Sequence, residues 1–542
     1  AEAPKEGAHT MQLSFDLPYP SQRPLVMAGN VVAASQPLAA QAGLSMLQAG
    51  GNAVDAAVAA AAAMTVVEPT GNGLGSDAFA IVWDGSRLHG LNASGRAPTA
   101  LTAGHLEGAD GAPPRGWGSV TVPGAVSAWV ELSARFGRLP FEALLEPAVR
   151  YARDGFRVTP VTARAWGFAE KTFAAPRFAE FRRGFLPGGR APRAGELFRF
   201  SDQATTLERI GATRGEAFYR GELADAMSDD ARRHGAPLAF EDLASHRADW
   251  VGTVQQAYGG YELHEIPPNG QGIAALQTLG ILRHLRLGEY PVDSTMSLHL
   301  QIEATKLAFA DAYAYVADAD HMRVRTEQLL DPAYLEARAG LVDPRRAQAP
   351  RYGTPPAGGT IYLTTADAAG MMVSFIQSNY HGFGSGVVVP GTGISLQNRG
   401  AGFSLDPKHP NHVAGGKRPF HTIIPAFLTQ GGAPRMSFGV MGGPMQPQGH
   451  VQMVVRLVDH AQNPQAAADA PRWRVMGGHE VALEDGFPAE TVAGLEALGH
   501  VVRRSKVGED FGFGGAQLAY RLDGGGYVAG SDARKDGQAV GY

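Results

Sequence analysis

The sequence predicts a layered fold of α-helices and β-strands, and three observations carry that prediction. Short strand-like runs alternate with long helical ones along the 542 residues. One helical segment is apolar on nearly every side, the pattern of a helix buried between layers. A hairpin pattern of two strand-like runs follows a Pro/Gly/Ala-rich stretch in the C-terminal third.

Taken in order, Ser35 can cap a helix that has Pro37 in its first turn and runs to Gln48, stopped by Gly50 and Gly51. An alanine-rich helix follows from Ala53 to about Val66, nearly all apolar past Asp55. Ala78 to Trp83 reads as a strand turned by Asp84 and Gly85. Three-to-four-residue apolar spacing predicts helices at Trp129 to Phe136, Phe141 to Asp154 and Ser297 to Val316. In the last, Leu300, Ala304, Leu307, Ala308 and Tyr315 line one face, with Glu303 and Lys306 off it. Arg345 to Gly359 is aperiodic, the texture of an exposed linker. Thr360 to Thr365 and Met371 to Ile376 form the hairpin, turned at Asp367-Ala368-Ala369-Gly370. A helix from about Gly449 to Ala461 and strands at Val481 to Leu483 and Gln517 to Arg521 complete the pattern, without internal repeats.

Composition narrows the function. Charged residues are 18% of the chain, the net charge is −5, and no run of like charges marks a nucleic-acid face or a membrane-surface patch. The expected partner is a small-molecule amide or peptide; a homo-oligomer is left open. There are no cysteines, which removes thiol nucleophiles, zinc–thiolate sites and disulfides together. The longest apolar stretch, Ala56 to Val67, is shorter than the roughly 20 residues a membrane span needs. The ten residues before Met11 read as a flexible extension, and no apolar leader stands there. The chain is expected to be soluble, with the cytoplasm slightly favoured over the periplasm or secretion.

No cofactor and no metal are expected. There is no HExxH, and His409-Pro410-Asn411-His412 lies in a Pro-rich loop without a carboxylate ligand pattern. Gly71-Asn72-Gly73-Leu74-Gly75-Ser76 departs from a dinucleotide fingerprint at its last position and leads into a strand instead of a helix. GxSxG and P-loop patterns are absent. The remaining feature is the boundary at 359/360. A flexible Gly-rich segment running into a strand that begins with Thr is the layout an N-terminal-threonine hydrolase needs. There the freed α-amine is the base for its own hydroxyl, which is otherwise a weak nucleophile.

The chain resembles the γ-glutamyltranspeptidase (glutathione hydrolase) family of N-terminal-nucleophile (Ntn) hydrolases. The resemblance rests on Thr360 with Asp367 and Gly370, Phe383-Gly384-Ser385-Gly386, Lys417-Arg418-Pro419 and Gly442-Gly443. Earlier landmarks are Gly50-Gly51-Asn52-Ala53-Val54-Asp55-Ala56, Val67-Glu68-Pro69 and Glu303-Ala304-Thr305-Lys306. Gly530-Ser531-Asp532-Ala533-Arg534 closes the series near the C-terminus. The resemblance implies an α+β fold, a four-layer αββα sandwich. It implies a large chain (1–359) and a small chain (360–542) that stay one intertwined unit after the Gly359–Thr360 bond breaks. It also implies Thr360 as nucleophile, Ser378 as supporting hydroxyl, and the N–H groups of Gly442 and Gly443 as the oxyanion hole.

The departures concern the substrate. The Arg-x-x-Ala-Pro motif that holds the α-carboxylate in γ-glutamyl-specific members reads Ser94-Gly95-Arg96-Ala97-Pro98, with the Arg displaced by two. The acid for the α-ammonium falls on Gly402 and the Gln near it on Arg399. The paired serines are His421 and Thr422, and the Asn after the second hydroxyl is Tyr380. Arg96, Tyr380, Arg399, His421 and Thr422 are thus the expected substrate-binding residues, and the two arginines could hold an anion. This set resembles the branch of YwrD-type, cephalosporin-acylase-like and oxamate amidohydrolase proteins. The expected activity is hydrolysis or transfer of a γ-glutamyl or related acyl amide through an acyl-enzyme. The alternatives are an amidohydrolase for a small anionic amide or cephalosporin-type acyl group, and an uncleaved, non-catalytic binding protein.

Overall fold

The computed structural model describes residues 13–20, 23–106, 114–350 and 359–542. The ten-residue extension and most of the predicted linker lie outside the described residues. Two seven-stranded sheets form the centre. One runs, edge to edge, Gln538–Gly541, Val31–Ala34, Gly359–Ala366, Met372–Tyr380, Asp77–Trp83, Leu88–Asn92 and Asp249–Trp250. The other runs Val26–Ala28, Tyr527–Ser531, Ala516–Arg521, Ala433–Val440, Ala426–Gln430, Tyr261–Glu265 and Val254–Tyr258. Neighbouring strands in both are antiparallel. Each sheet takes strands from both sides of residue 359, so the two halves of the sequence share one core.

The alternation of side chains along a strand fixes the layers. In Gly359–Ala366, Ile361 and Leu363 face a core shared with helices, while Tyr362 and Ala366 face the second sheet. The second sheet packs its far side on Gly272–Leu282 and Met445–Val458. The result is helix, sheet, sheet, helix: an αββα sandwich.

The alanine-rich helix, Ala53–Val67, is buried throughout and lies against the strand Gly359–Ala366. Its small side chains let the backbone come close to the sheet. Asn52 and Asp55 form a capping box at its start. Asp367, in the hairpin turn, accepts the Ala53 N–H at 2.9 Å, and Thr365 donates to the Ala53 carbonyl at 2.6 Å. The Asp367 landmark therefore ties the hairpin to that helix.

The first helix spans Pro37–Gln48, but its cap is Gln36, whose side chain accepts from Leu38. Ser35 instead donates to Glu68 at 2.7 Å, because a buried carboxyl competes for the hydroxyl. The helix Thr295–Tyr315 is also buried on the side that holds Glu303 and Lys306. Those two pair at 2.6 Å, and Lys306 also donates to the Gln348 carbonyl, so the segment covering them hides both charges. The pairing shows how two charges share a dry face. No helix among the described residues is long and apolar enough to cross a membrane.

Candidate active site

Thr360 begins its hairpin at an irregularity. Gly359 pairs with Tyr380 and Ile361 with Gln377, so Ser378 and Asn379 together oppose Thr360 in a bulge of the partner strand. Bulges re-aim a side chain out of the regular pleat. Thr360 is 3% exposed, and its hydroxyl lies 3.0 Å from that of Ser378. The Ser378 hydroxyl also donates to the Gly359 carbonyl at 2.7 Å and accepts the Tyr380 N–H at 2.8 Å. A serine hydroxyl has one proton and two lone pairs. With the proton on the Gly359 carbonyl, Ser378 must accept from Thr360. The arrangement both polarises the peptide carbonyl ahead of Thr360 and orients the Thr360 oxygen.

A glycine loop backs this peptide. The Asn379 N–H donates to Gly71 and the Phe383 N–H to Thr70, each at 3.0 Å. A Cβ on Gly71 would stand 3.1–3.3 Å from three backbone atoms of Thr360. The segment 71–76, which mimics a cofactor fingerprint in sequence, thus serves as a close-fitting wall behind Thr360. That role depends on contacts across roughly 290 positions and leaves no local signature.

Gly442 and Gly443 follow the strand Ala433–Val440 and precede the helix Met445–Val458. Their φ angles of +114° and +61° favour glycine. Neither N–H has a hydrogen-bond acceptor among the described residues, whereas both carbonyls are engaged, by Met445 and Gln446. Two free amides at the start of a 14-residue helix suit a developing negative charge.

A cavity of about 300 Å³ opens on Thr360 and Gly442. Its walls include Phe173, Glu68, Arg115 and Lys535. Burial pushes the Glu68 carboxyl up to about 7, against the pull of Lys535 and the Ser35 hydrogen bond.

The five expected substrate-binding residues stand elsewhere. Arg96 lines a separate depression with Asp242 and Asp249 and pairs with Asp318 at 3.2 Å. Arg399 is wholly buried, stacked 4.2 Å over the Tyr380 ring and donating to Thr422 at 2.8 Å. Tyr380 takes a left-handed φ of +80°. His421 Nε2 meets Asp77 at 2.9 Å, both fully buried. Burial raises the Asp77 carboxyl to about 7 while Arg399 and two backbone N–H groups pull it back; burial holds His421 neutral. These four form a packed block behind Ser378, since Asp77 pairs with Ser378 across the sheet. None of them lines the cavity at Thr360. Arg115, Lys535 and Phe173, which do, carry no motif.

His299, Glu303 and His500 cluster closely enough to hold a cation. However, Lys306 already occupies Glu303, and His299 Nδ1 is 2.8 Å from His500 Nε2. The position a metal would take is filled by the ammonium and by that hydrogen bond.

The gamma-glutamyltranspeptidase family profile matches residues 39–542. The glutathione hydrolase-like YwrD proenzyme of Bacillus subtilis is 36% identical over 517 residues, 93% of this chain and 97% of that one. The oxamate amidohydrolase proenzyme of Klebsiella pneumoniae is 38% identical over 521 residues, again 93% and 97%. The crystal structure of a cephalosporin acylase from Bacillus halodurans superposes with a TM-score of 0.92 at 48% identity, covering 98% of this chain and 99% of that one. Matches of that extent and an αββα sandwich leave one conclusion: this chain is a hydrolase-type enzyme of the Ntn superfamily and belongs to the gamma-glutamyltranspeptidase family.

Proposed function

We propose that this chain is a proenzyme that cuts itself between Gly359 and Thr360 and then hydrolyses an acyl amide with the Thr360 hydroxyl. The observation that carries the reading is the Ser378 hydroxyl, in contact with both the Thr360 oxygen and the Gly359 carbonyl. In the first stage Thr360 Oγ1 attacks the Gly359 carbonyl carbon, whose oxygen is held by Ser378. The C–N bond breaks, the hydroxyl proton ends on nitrogen, and water hydrolyses the resulting ester. This leaves a Gly359 carboxylate and a free α-amine on Thr360. In the second stage that amine takes the Oγ1 proton as the oxygen attacks a substrate amide in the cavity. The N–H groups of Gly442 and Gly443 receive the oxyanion, the amine product leaves with the proton, and water releases the acyl group.

For the acyl group, an amidohydrolase or acylase reading is favoured over a γ-glutamyl one. The extensive matches to an oxamate amidohydrolase and a cephalosporin acylase support it. So does Gly402, which stands where γ-glutamyl-specific relatives place the acid for an ammonium group. A Cβ there would come 2.5 Å from the Phe420 carbonyl, so no acidic side chain fits.

The test is N-terminal sequencing of the smaller fragment, which should begin at Thr360. Fragments of about 38 and 19 kDa are expected from 57.0 kDa, apportioned by residue number. Thr360→Ala should stay one inactive chain, and splitting of that variant at the same bond would refute the assignment.

A further inference from the structure

The amides of Gly442 and Gly443 can serve an oxyanion only if the peptide planes around them hold still, and glycine itself supplies no such restraint. The Gly442 carbonyl accepts the Met445 N–H at 3.2 Å, and the Gly443 carbonyl accepts that of Gln446 at 3.1 Å. Both bonds belong to the start of the helix Met445–Val458 and move with it. A further bond comes from a distant segment: Gln271 Nε2 donates to the Gly443 carbonyl at 2.9 Å. The same nitrogen donates to the Thr422 carbonyl at 2.6 Å. A primary amide nitrogen carries two protons, so each carbonyl takes one. The reversed amide would turn its own oxygen toward two carbonyl oxygens, so the donor side must face them.

Gln271 thus links the glycine pair to Thr422, whose hydroxyl Arg399 also holds at 2.8 Å. Its own footing is firm. Gln271 is fully buried, its N–H donates to the His421 carbonyl at 3.1 Å, and it heads the helix Gly272–Leu282. A Cβ on Gly272 would stand 2.6 Å from the Glu265 Cβ, so this backbone has no room to shift toward the strand Tyr261–Glu265. Gly442 is confined in turn by the Gly514 backbone, 3.1 Å from where its Cβ would be. Gln271 is not among the described residues that line the cavity, so it reaches the reaction through the glycines and not by touching substrate.

We propose that Gln271 is a positioning residue for the oxyanion hole, holding the Gly443 carbonyl so that the Gly442 and Gly443 N–H groups keep their aim on the acyl carbonyl. The proposal rests on the Thr360 acyl-enzyme reading. It also separates the two stages of that reading. In self-cleavage the carbonyl oxygen is held by Ser378, so Gln271 serves substrate turnover and not self-cleavage.

The experiment uses the full chain with p-nitrophenyl acetate, a probe that offers little beyond an attackable carbonyl, and takes Thr360→Ala as the blank. Gln271→Met keeps the side-chain length and removes both donors. Gln271→Glu keeps the shape but has a proton to donate only when its carboxyl is neutral. Acylation and deacylation both pass through an oxyanion, so kcat should fall whichever is limiting. Removing an oxyanion donor outright costs roughly 10²–10³ in kcat, and a misaimed pair should cost about 10-fold or more. KM should stay within about twofold of wild type, and the two fragments should appear on a gel at the wild-type rate. For Gln271→Glu, kcat relative to wild type should rise as pH falls, because the neutral carboxyl regains one of the two bonds. A merely structural brace predicts neither the loss confined to kcat nor the recovery at acid pH. Wild-type kcat in both variants overturns the proposal. So does a change confined to KM, or a loss of self-cleavage that matches the loss of turnover. If cut wild-type protein releases no more nitrophenol than Thr360→Ala, the Thr360 reading falls and takes the proposal with it, an outcome the wild type reveals without any Gln271 variant.

Discussion

Replacing Ser378 by alanine removes three hydrogen bonds made by one oxygen: to Thr360 at 3.0 Å, to the Gly359 carbonyl at 2.7 Å and from the Tyr380 N–H at 2.8 Å. The effects on rate and stability differ and can be separated. Loss of one donor to a developing oxyanion costs about 3 kcal/mol of barrier, roughly a hundredfold in rate. Loss of the acceptor for the buried Tyr380 N–H costs a further 1–3 kcal/mol, roughly, but in stability. Self-cleavage of Ser378→Ala should therefore slow by about 10²-fold, followed as appearance of the two fragments on a denaturing gel after synthesis. The stability loss is read separately, from urea unfolding of Thr360→Ala with and without Ser378→Ala, where neither chain cuts. Ser378→Thr keeps the hydroxyl and should still cut. Cleavage of Ser378→Ala within about threefold of wild type would show that the carbonyl is polarised by another group, and the assignment of Ser378 would fail.

Two further predictions follow from the same neighbourhood. Gly71→Ala places a methyl 3.1–3.3 Å from the Thr360 backbone; overpacking of about 1–3 kcal/mol should slow self-cleavage roughly tenfold or more. Gly167→Ala, whose Cβ meets nothing within 4 Å, should leave the cleavage rate unchanged on the same gel. Glu68 carries a carboxyl raised from 4.5 to about 7, so the folded chain binds its proton more tightly than the unfolded one. The sign follows: the penalty is absent below pH 4.5, grows as pH rises toward 7, and is complete above it. In the uncut Thr360→Ala background, Glu68→Gln should match its parent in unfolding midpoint at acid pH and exceed it above neutrality. The gain is at most roughly 3 kcal/mol, and a pH-independent difference would refute it.

Much of the fold is legible in the sequence because it rests on local rules. The apolar run from Ala56 to Val67 can only be a buried helix, and the hairpin around Asp367-Ala368-Ala369-Gly370 needs no distant partner to be recognised. Its start at Thr360 directly after a Gly-rich stretch is likewise visible in the sequence. Spacing puts Glu303 and Lys306 off the apolar face of their helix but reports nothing of what covers them from residue 348.

What the sequence by itself determined is the order of helices and strands, the absence of thiol chemistry and the boundary where a threonine could become an N-terminus. What tertiary structure decided is which groups share a space with that threonine. Arg115, Phe173, Gly382, Phe511 and Lys535 come from five separate segments and meet on one cavity. Arg96 and Arg399, equally charged, are drawn away by Asp318 and by the ring of Tyr380. The physical reason is that charge is a property of a residue, whereas a desolvated and unpaired charge is a property of its neighbours, and only folding chooses those.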